Sequence, residues 1–388
     1  MSKEHATHHD TIVIGTGSMG SSVLFHLALR GIQVLGLEQF GVVHEQGSHG
    51  GQSRIIRKAY FEHPDYIPLL MKAYENWAML ESLSGRKIYT RTGLFYTGPK
   101  GDPLLNNVKE SASRYGIELS ELSAVESNRK FPQFNIPENF EVIFEPDAGF
   151  LRPDLAIKTY VEEALKLGAR ISTNEKVIAW KKVGNIVEVI TSHQTYTCRK
   201  LVITAGPWAS TLIPGIRNYL TVTRQVMAWY KPEDGRDLVT GACPCWFIVK
   251  PGLPGSFYGF PIMNEGLHGD PVGFKIAYHY PGQPVDPDNV DRHVADHEMN
   301  ELRTLLQEYI PGANGQLVHA KTCLYSNSPD GDFVIDNLPG TDEQVCVAWG
   351  FSGHGFKFVS VVGEILADHV IHGRTNLPTG FLSANRFS

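Results

Sequence analysis

Hydrophobic and polar positions near the beginning of the chain are arranged in blocks typical of a βαβ unit. A short apolar run at residues 11–14 leads into a glycine-rich turn, and residues 21–30 follow with the composition of a buried helix. Gly31 separates this helix from a second apolar run at residues 32–38. These blocks predict a buried strand, a helix closed by glycine, and a second buried strand.

The rest of the chain shows three further patterns. Residues 154–167 have apolar positions at a helical period, and short runs that predict strands follow at residues 169–172, 176–181, 186–191, 195–198 and 201–206. Between about residues 221 and 280, aromatic-rich alternating segments predict antiparallel strands, one face of which could line a pocket. Near the C-terminus, residues 345–348 predict a strand and residues 356–371 a helix that stops at Gly373.

The turn after the first predicted strand contains a dinucleotide-binding fingerprint. Gly15, Gly17 and Gly20 form G-x-G-x-x-G at the start of the predicted helix. The first glycine permits the turn, the second lets backbone N–H groups approach a pyrophosphate, and the third lets the helix pack closely on the strand. Glu38 ends the second strand, where its carboxylate can accept hydrogen bonds from a ribose hydroxyl and disfavours NADP. The fingerprint predicts a bound dinucleotide but does not separate FAD from NAD.

These elements predict an α/β fold with two domains, for which 388 residues are sufficient. We expect a nucleotide-binding domain built from the discontinuous segments 1–85, 150–220 and 320–388. A substrate domain made of residues 86–149 and 221–319 is expected to be inserted between them.

Charge and cysteine content exclude several classes of partner. A formal net charge of −6 gives no reason to expect nucleic acid or an anionic membrane as a partner. No stretch approaches the roughly 20 apolar residues of a membrane span, and the N-terminus lacks the apolar core of a signal peptide. The five cysteines argue against a disulfide framework and favour a cytoplasmic location. Cys243 and Cys245 lack the spacing of a metal motif, so we expect no metal site.

Four blocks of sequence carry a resemblance to a known family. They are GSHGGQSRIIR at residues 47–57, FYGFP at 257–261, CLYSNSPD at 323–330 and GFSGHGFK at 350–357. In order and in separation they resemble the monomeric sarcosine oxidase and N-methyltryptophan oxidase group of flavoproteins, along nearly the whole chain. The resemblance implies a Rossmann-type, glutathione-reductase-like FAD domain, an antiparallel-sheet substrate domain and a monomer.

The resemblance also implies which residues hold the cofactor. Cys323 matches the cysteine that forms a thioether to the 8-methyl carbon of the flavin, a position that a thiolate can attack. Gly353, His354 and Gly355 match the segment beside the flavin pyrimidine, where backbone N–H groups could stabilise negative charge near N1. Ser48, in the first block, is expected to contact the cofactor as well.

Five residues match the family's substrate pocket. Arg57 matches an arginine that holds a substrate carboxylate through its planar guanidinium, and Lys357 matches a lysine that adds a second positive charge. Tyr258 and Tyr325 resemble tyrosines near the substrate amine. His279 resembles a pocket histidine that the mechanism does not need as a base.

Two cations match residues on one face of the flavin. Lys275 resembles the lysine that activates oxygen, since a cation above flavin N5 should stabilise incipient superoxide. Arg54 resembles a second cation on the same face. The chain departs from the family pattern at Gly50, where relatives have a second histidine after His49, and at residues 261–275, which form a longer segment.

The implied activity is oxidation of the C–N bond of a secondary (N-methyl) amino acid such as sarcosine or N-methyltryptophan. Oxygen would be reduced to hydrogen peroxide, and hydrolysis of the imine would release formaldehyde and the primary amino acid. Three alternatives stay open: an oxidase of a cyclic imino acid such as pipecolate or proline, a dehydrogenase that uses another electron acceptor, and a flavin-binding module without catalysis. The presence of both anchors, Arg57 and Lys357, argues against the last.

Overall fold

The structure is a computed structural model that describes residues 7–263, 270–280 and 282–387. Its strands are β1 (Thr7–Ile14), β2 (Val34–Leu37), β3 (Arg54–Ile56), β4 (Tyr89–Arg91), β5 (Leu94–Pro99), β6 (Ser120–Ser123), β7 (Phe140–Glu145), β8 (Gly149–Leu151), β9 (Arg170–Ser172), β10 (Val177–Val183), β11 (Ile186–Thr191), β12 (Thr195–Ile203), β13 (Thr221–Lys231), β14 (Cys245–Ile248), β15 (Ser256–Phe260), β16 (Phe274–His279), β17 (Gln283–Pro284), β18 (Gln316–Asn327), β19 (Val334–Asn337) and β20 (Val345–Trp349). Its α-helices are α1 (Ser18–Leu29), α2 (Tyr66–Ser84), α3 (Pro103–Tyr115), α4 (Ala124–Lys130), α5 (Pro153–Lys166), α6 (Ala209–Leu212), α7 (Asp296–Tyr309) and α8 (Val359–His372).

The first sheet has a parallel centre that contains the predicted βαβ unit. Its strand order is β10-β11-β12-β1-β2-β9, with β20 on β12 and β19 on β20. β1 lies parallel to β12 and β2, which in turn lies parallel to β9. Parallel strands of this kind are buried on both faces, and β2 is buried at every position. Helices α1, α5 and α8 pack together in one hydrophobic core against this sheet.

The second sheet is mainly antiparallel and contains the aromatic-rich segments. Its order is β17-β13-β16-β15-β14-β5-β7-β6, and β18 also pairs with β13. Every pairing is antiparallel except that of β14 with β5. The predicted combination of an α/β nucleotide fold with an antiparallel sheet is therefore confirmed. The domain boundaries stay a prediction; β18, which contains Cys323, belongs to the antiparallel sheet.

The last helix has an irregular first turn and a glycine stop. The predicted helix begins as a 3₁₀ turn, Phe356–Phe358, and becomes α-helical as α8. It ends at Gly373, which has a left-handed φ of 74°, as a helix C-cap requires.

A small third sheet, β3-β8-β4, lies between Arg54 and Leu151 in the chain. Among the described residues, the helices are all too short or too polar to cross a membrane.

Candidate active site

One cavity joins the dinucleotide fingerprint to the predicted substrate pocket. It begins at the turn between β1 and α1, and reaches the antiparallel sheet and the start of α8. Its wall includes Gly15, Gly17, Glu38, Ser48, His49, Arg54, Arg57, Glu62, Phe247, Tyr258, His279, Tyr325, Ser326, Gly353, His354, Gly355 and Lys357. A cavity lined both by a nucleotide-binding turn and by buried cations suits an extended cofactor with a substrate beside it.

Glycine is found at the three fingerprint positions for different physical reasons. A Cβ atom at Gly20 would lie 1.9 Å from the carbonyl oxygen of Gly15, so close packing of α1 on the turn requires glycine there. Gly15 itself has a φ of 81°. At Gly17, by contrast, a Cβ would come no nearer than 3.7 Å to the protein, at His49, and this residue faces the cavity. The second glycine is therefore free of protein contacts that demand it, as expected where a ligand approaches the backbone.

Glu38 lies at the end of β2, as predicted, and is almost fully buried. The Thr16 N–H donates to its Oε2 at 2.8 Å, and the Phe40 N–H donates to Oε1 at 3.0 Å. His44 approaches Oε1 with its Nε2 at 3.5 Å. The carboxylate is thus held rigidly on the cavity wall, in the place where a ribose would be bound.

Two buried polar atoms on the cavity wall support the fit of a cofactor. Ser326 Oγ and His49 Nε2 both have no hydrogen-bond partner among the described residues. Burial lowers the pKa of His49 to about 3, so its imidazole is neutral. Buried polar atoms without partners are rare in proteins, and a polar ligand in the cavity would satisfy them.

The segment before α8 is shaped by its glycines. Gly353 has a φ of 78°, and a Cβ there would lie 2.4 Å from the ring of Tyr325. A Cβ at Gly355 would lie 2.6 Å from Phe351. His354, between them, is hydrogen-bonded by the Tyr60 hydroxyl at Nδ1 and lies 3.1 Å from the Gly331 carbonyl at Nε2. The backbone of this segment is therefore pressed against the cavity, where a flavin ring could contact it.

Arg57 is buried on the wall of the cavity and is paired with Glu62. Its Nη2 donates to both carboxylate oxygens of Glu62, at 2.7 and 2.6 Å, and its Nη1 donates to the Ala59 carbonyl at 2.8 Å. The guanidinium also lies 4.3 Å from the ring centre of Tyr60 and 3.9 Å from that of Phe61. Although burial opposes ionisation, the positive charge of Arg57 lowers the pKa of Glu62 to about 2.

Lys357 lies close to this pair, brought there by the 3₁₀ turn before α8. Its Nζ donates to the His354 carbonyl at 2.7 Å and lies 5.1 Å from the Tyr60 ring centre. Burial, followed by the charge of Arg57, lowers the pKa of Lys357 to about 7. An anion bound between the two cations would favour the protonated lysine.

Tyr258, Tyr325 and His279 form a connected group on the antiparallel sheet. His279 Nδ1 and the Tyr325 hydroxyl are 3.1 Å apart, and Tyr258 lies edge-on to His279. Burial lowers the pKa of His279 to about 4, so the imidazole carries no charge at neutral pH. A ring with so low a pKa is a weak base, which fits the prediction that the mechanism does not need His279 as a base.

Lys275 and Arg54 grip the loop that precedes β3. Lys275 Nζ donates to the carbonyls of Gly51 and Ser53 and to Ser53 Oγ, while Arg54 donates to the carbonyls of Ser48, Gly50 and Ser53. Burial holds the pKa of Lys275 well below its usual range. Arg54 lines the cavity, whereas Lys275 is fully enclosed behind the wall.

Cys323 is also enclosed, at 1% exposure, although its neighbours Leu324 and Tyr325 reach the cavity. Burial raises the pKa of its thiol, and the nearby charges of Arg54 and Lys275 oppose that rise. Cations around a cysteine favour the thiolate, the form that attacks an electrophile. All five cysteines of the chain are free and buried.

The two departures from the family pattern have different outcomes. At Gly50, an added Cβ would lie 3.8 Å from Lys321 Nζ, and Lys321 is paired with Glu45. A lysine therefore borders the position of the missing histidine. The longer segment 261–275 includes residues 264–269, which lie outside the described residues.

Several residues of the site, among them Glu62 and Gln52, were not predicted from the sequence. Glu62 holds Arg57 from five residues away in a segment without helical or strand period, so no spacing pointed to it. Gln52 has a φ of 69° and lies between Gly51 and Ser53, whose carbonyls accept hydrogen bonds from Lys275. Its place inside the GGQSR block was the only signal available.

A Rossmann-type sheet whose first turn opens into the same cavity as a pair of buried cations defines a dinucleotide-dependent oxidoreductase. The family whose sequence model matches residues 10–369 is described as FAD dependent oxidoreductase. The chain belongs to this family and is an FAD-dependent enzyme, which confirms FAD as the cofactor; its linkage through Cys323 stays a prediction.

Comparison with individual proteins shows which members of the family the chain is similar to. The chain is 38% identical over 381 residues to a monomeric sarcosine oxidase of Streptomyces avermitilis, with 98% of each chain covered. It is 35% identical over 363 residues to an N-methyl-L-tryptophan oxidase of Yersinia pestis, covering 92% of this chain and 94% of the relative. These two relatives confirm the predicted family resemblance.

Solved structures support the fold. NikD, an unusual amino acid oxidase essential for nikkomycin biosynthesis, has a TM-score of 0.84 at 23% identity, with 97% of each chain covered. L-proline dehydrogenase from P. horikoshii has a TM-score of 0.85 at 20% identity, with 98% of each chain covered. At these identities the likeness establishes the fold alone.

Proposed function

We propose that this protein is a flavoprotein oxidase of a secondary, N-methyl amino acid such as sarcosine or N-methyltryptophan. The observation that carries the proposal is the pair Arg57 and Lys357, buried on the wall of the same cavity that the dinucleotide fingerprint lines. Two buried cations at that place suit a carboxylate next to the cofactor. The names of the characterised relatives support the same substrate class.

Arg57 is the main anchor of the substrate carboxylate. Its Nη2 is now bonded to Glu62, so the substrate carboxylate replaces Glu62 on the guanidinium and leaves Nη1 on the Ala59 carbonyl. Glu62 faces the cavity and keeps 18% exposure, which gives its released carboxylate access to water. Lys357 adds a second positive charge and becomes protonated as the anion arrives.

The amine binds in its neutral form against the tyrosine and histidine group. His279 is uncharged and, with a pKa of about 4, accepts a proton poorly. The hydroxyls of Tyr258 and Tyr325 offer hydrogen bonds near the nitrogen. The aromatic rings of Phe61 and Phe247 border Arg57 and exclude water from the same part of the cavity. Together these contacts orient the carbon next to nitrogen towards the cofactor.

Gly15, Gly17, Glu38, Ser48 and the segment 353–355 hold FAD, and we propose that Cys323 forms a thioether to it. FAD held there would supply the two-electron redox chemistry between the substrate C–N bond and oxygen, with hydrogen peroxide as the reduced product. Water hydrolyses the released imine, so an N-methyl substrate gives formaldehyde and the primary amino acid.

Lys275 and Arg54 place positive charge beside this reaction. A fixed cation stabilises the negative charge that develops as oxygen takes up an electron. We further propose that the enzyme is a monomer located in the cytoplasm, which its five free cysteines support.

A peroxide assay on the purified holoenzyme tests the substrate class. N-methyl amino acids should give equal amounts of hydrogen peroxide and formaldehyde, and Arg57→Met should lose this turnover while Arg91→Met, a matched change at an exposed arginine, should keep it. Peroxide from pipecolate or proline without turnover of N-methyl substrates would contradict the proposal. Denaturing precipitation tests the linkage: yellow colour should stay with the peptide that contains Cys323, and colour lost to the supernatant would exclude it.

A further inference from the structure

The loop between Gly50 and Arg54 contains a strained turn. The Ser53 N–H donates to the Gly51 carbonyl at 2.7 Å, an i to i+2 hydrogen bond, and Gln52 in the middle has a φ of 69°. This is the γ-turn with positive φ, which is rare and strained. Glutamine is not a residue that adopts positive φ readily, so the surrounding structure must hold the turn.

The side chain of Gln52 keeps the turn in place through two hydrogen bonds. Gln52 Oε1 accepts from the Nε1–H of Trp229, on β13, at 2.8 Å, and Gln52 Nε2 donates to the Pro271 carbonyl at 3.2 Å. Gln52 is 6% exposed and Trp229 is fully buried. A side chain with one acceptor and one donor at this length satisfies both partners, which a shorter or charged side chain does not.

The turn directs its oxygen atoms at one amine. Gly51 O, Ser53 O and Ser53 Oγ accept hydrogen bonds from Lys275 Nζ at 2.5, 3.0 and 3.2 Å. Trp229 is also the cross-strand neighbour of Lys275 in the sheet, and its ring centre lies 5.3 Å from Nζ. The same tryptophan therefore holds Gln52 and packs against the lysine.

We propose that Gln52 is a positioning residue for the oxygen reaction: it holds the γ-turn whose oxygen atoms fix and solvate the ammonium of Lys275. It acts through the backbone and touches none of the reacting atoms. The inference rests on the oxygen role proposed for Lys275.

The charge of a fully buried lysine depends on such oxygen atoms. Removing an ammonium from water favours the neutral amine unless acceptors replace the lost water. The other charged and titratable groups that face Lys275 are Arg54, Lys321, Asp154, Cys323 and Cys245. Two of these are cations, which makes the three acceptors of the turn more important for keeping the proton.

Half-reaction kinetics of the holoenzyme separate this role from a structural one. The variants are Gln52→Ala, Trp229→Phe and Lys275→Met, with Asn128→Ala as a matched control that also removes a carboxamide with two hydrogen bonds, far from Lys275. Each is reduced anaerobically by an N-methyl amino acid and then mixed with oxygen over a range of pH. Hydrogen exchange of the peptide covering residues 50–54 reports the turn itself, independently of turnover.

Gln52→Ala should slow reoxidation by about tenfold or more, and should shift the high-pH loss of rate to lower pH, because the amine loses its proton more easily. Trp229→Phe should act in the same direction but less. Anaerobic reduction should stay within about twofold of the unmodified enzyme. Hydrogen exchange of residues 50–54 should be faster in Gln52→Ala and Trp229→Phe, and should be unchanged in Asn128→Ala.

The outcomes against the inference are distinct. If Lys275→Met slows reoxidation but Gln52→Ala changes neither its rate nor its pH profile, Gln52 has no positioning role and the proposed function stands. If Lys275→Met leaves reoxidation unchanged, the oxygen role and this inference both fall. Equal slowing of the two half-reactions by Gln52→Ala would mean general damage and would also overturn it.

Discussion

The carboxyl group of Glu145, at the end of β7, is buried near the site. The dependence of protein stability on pH therefore tests how strongly burial there opposes a negative charge. Its side chain has no exposure, its Oε1 accepts from the Lys58 N–H at 2.5 Å, and its Oε2 accepts from the Tyr96 hydroxyl at 3.0 Å. The adjoining Ala59 carbonyl holds Arg57. Burial raises the pKa of Glu145 from 4.5 to about 7, although these hydrogen bonds oppose the rise.

The sign of the effect follows from proton linkage. Because the folded protein holds this proton more tightly than the unfolded chain, the stabilising contribution is complete below pH 4.5 and is lost as pH rises through about 7. At about 1.4 kcal/mol for each pKa unit, the loss amounts to roughly 3 kcal/mol. Glu145→Gln has no proton to lose, so its stability relative to the unmodified protein should improve by about that amount from pH 4.5 to pH 8.

Urea unfolding of the holoenzyme at several pH values is the assay. The quantity compared is the difference in unfolding free energy between variant and unmodified protein, in which other titrating groups cancel. Glu138→Gln, at an exposed carboxylate, is the matched control for the loss of a carboxylate. A difference for Glu145→Gln that is the same at pH 5 and pH 8 would show that burial does not raise the pKa of Glu145.

Three further predictions concern the site. Gly20→Ala should abolish FAD retention, measured by flavin absorbance of the purified protein, because its Cβ would collide with the Gly15 carbonyl; retained flavin would mean that α1 can shift. Glu62→Gln should lower the dissociation constant of a carboxylate inhibitor by about tenfold in a flavin absorbance titration, because the neutral amide competes less well for Arg57; weaker binding would show that Glu62 helps the anion. Cys323→Ser should bind FAD that acid precipitation releases, and flavin that stays with the denatured chain would place the linkage elsewhere.

Local patterns were sufficient for the βαβ unit of the first sheet. The apolar runs around the G-x-G-x-x-G turn correspond to β1, α1 and β2, since each element is specified by neighbouring residues. The predicted helix at residues 356–371 was also close, but its first turn is 3₁₀. That turn follows the segment 353–355. The close approach of Gly353 to Tyr325 and of Gly355 to Phe351 determines the backbone of this segment, and a local sequence pattern does not contain such contacts.

The site depended on information from outside the local pattern. Arg57 and Lys357 are 300 positions apart, and only the family resemblance suggested that they act together. Glu62 and Gln52 were missed because an ion pair in an irregular segment and a strained φ are both tertiary effects. Glu145 is similar: a carboxylate in an alternating strand suggests a solvent-facing position, yet β7 is covered on that side by Tyr96 and by the chain at Lys58.

Anaerobic reduction of the flavin by matched substrates tests most directly whether Arg57 and Lys357 bind the substrate carboxylate. The holoenzyme is mixed with an N-methyl amino acid, or with the methyl ester of the same compound, and loss of the oxidised flavin absorbance is followed. The account predicts saturable reduction by the acid and at least about a hundredfold lower efficiency with the ester, since the ester cannot replace Glu62 on Arg57. Equal reduction by acid and ester would contradict it.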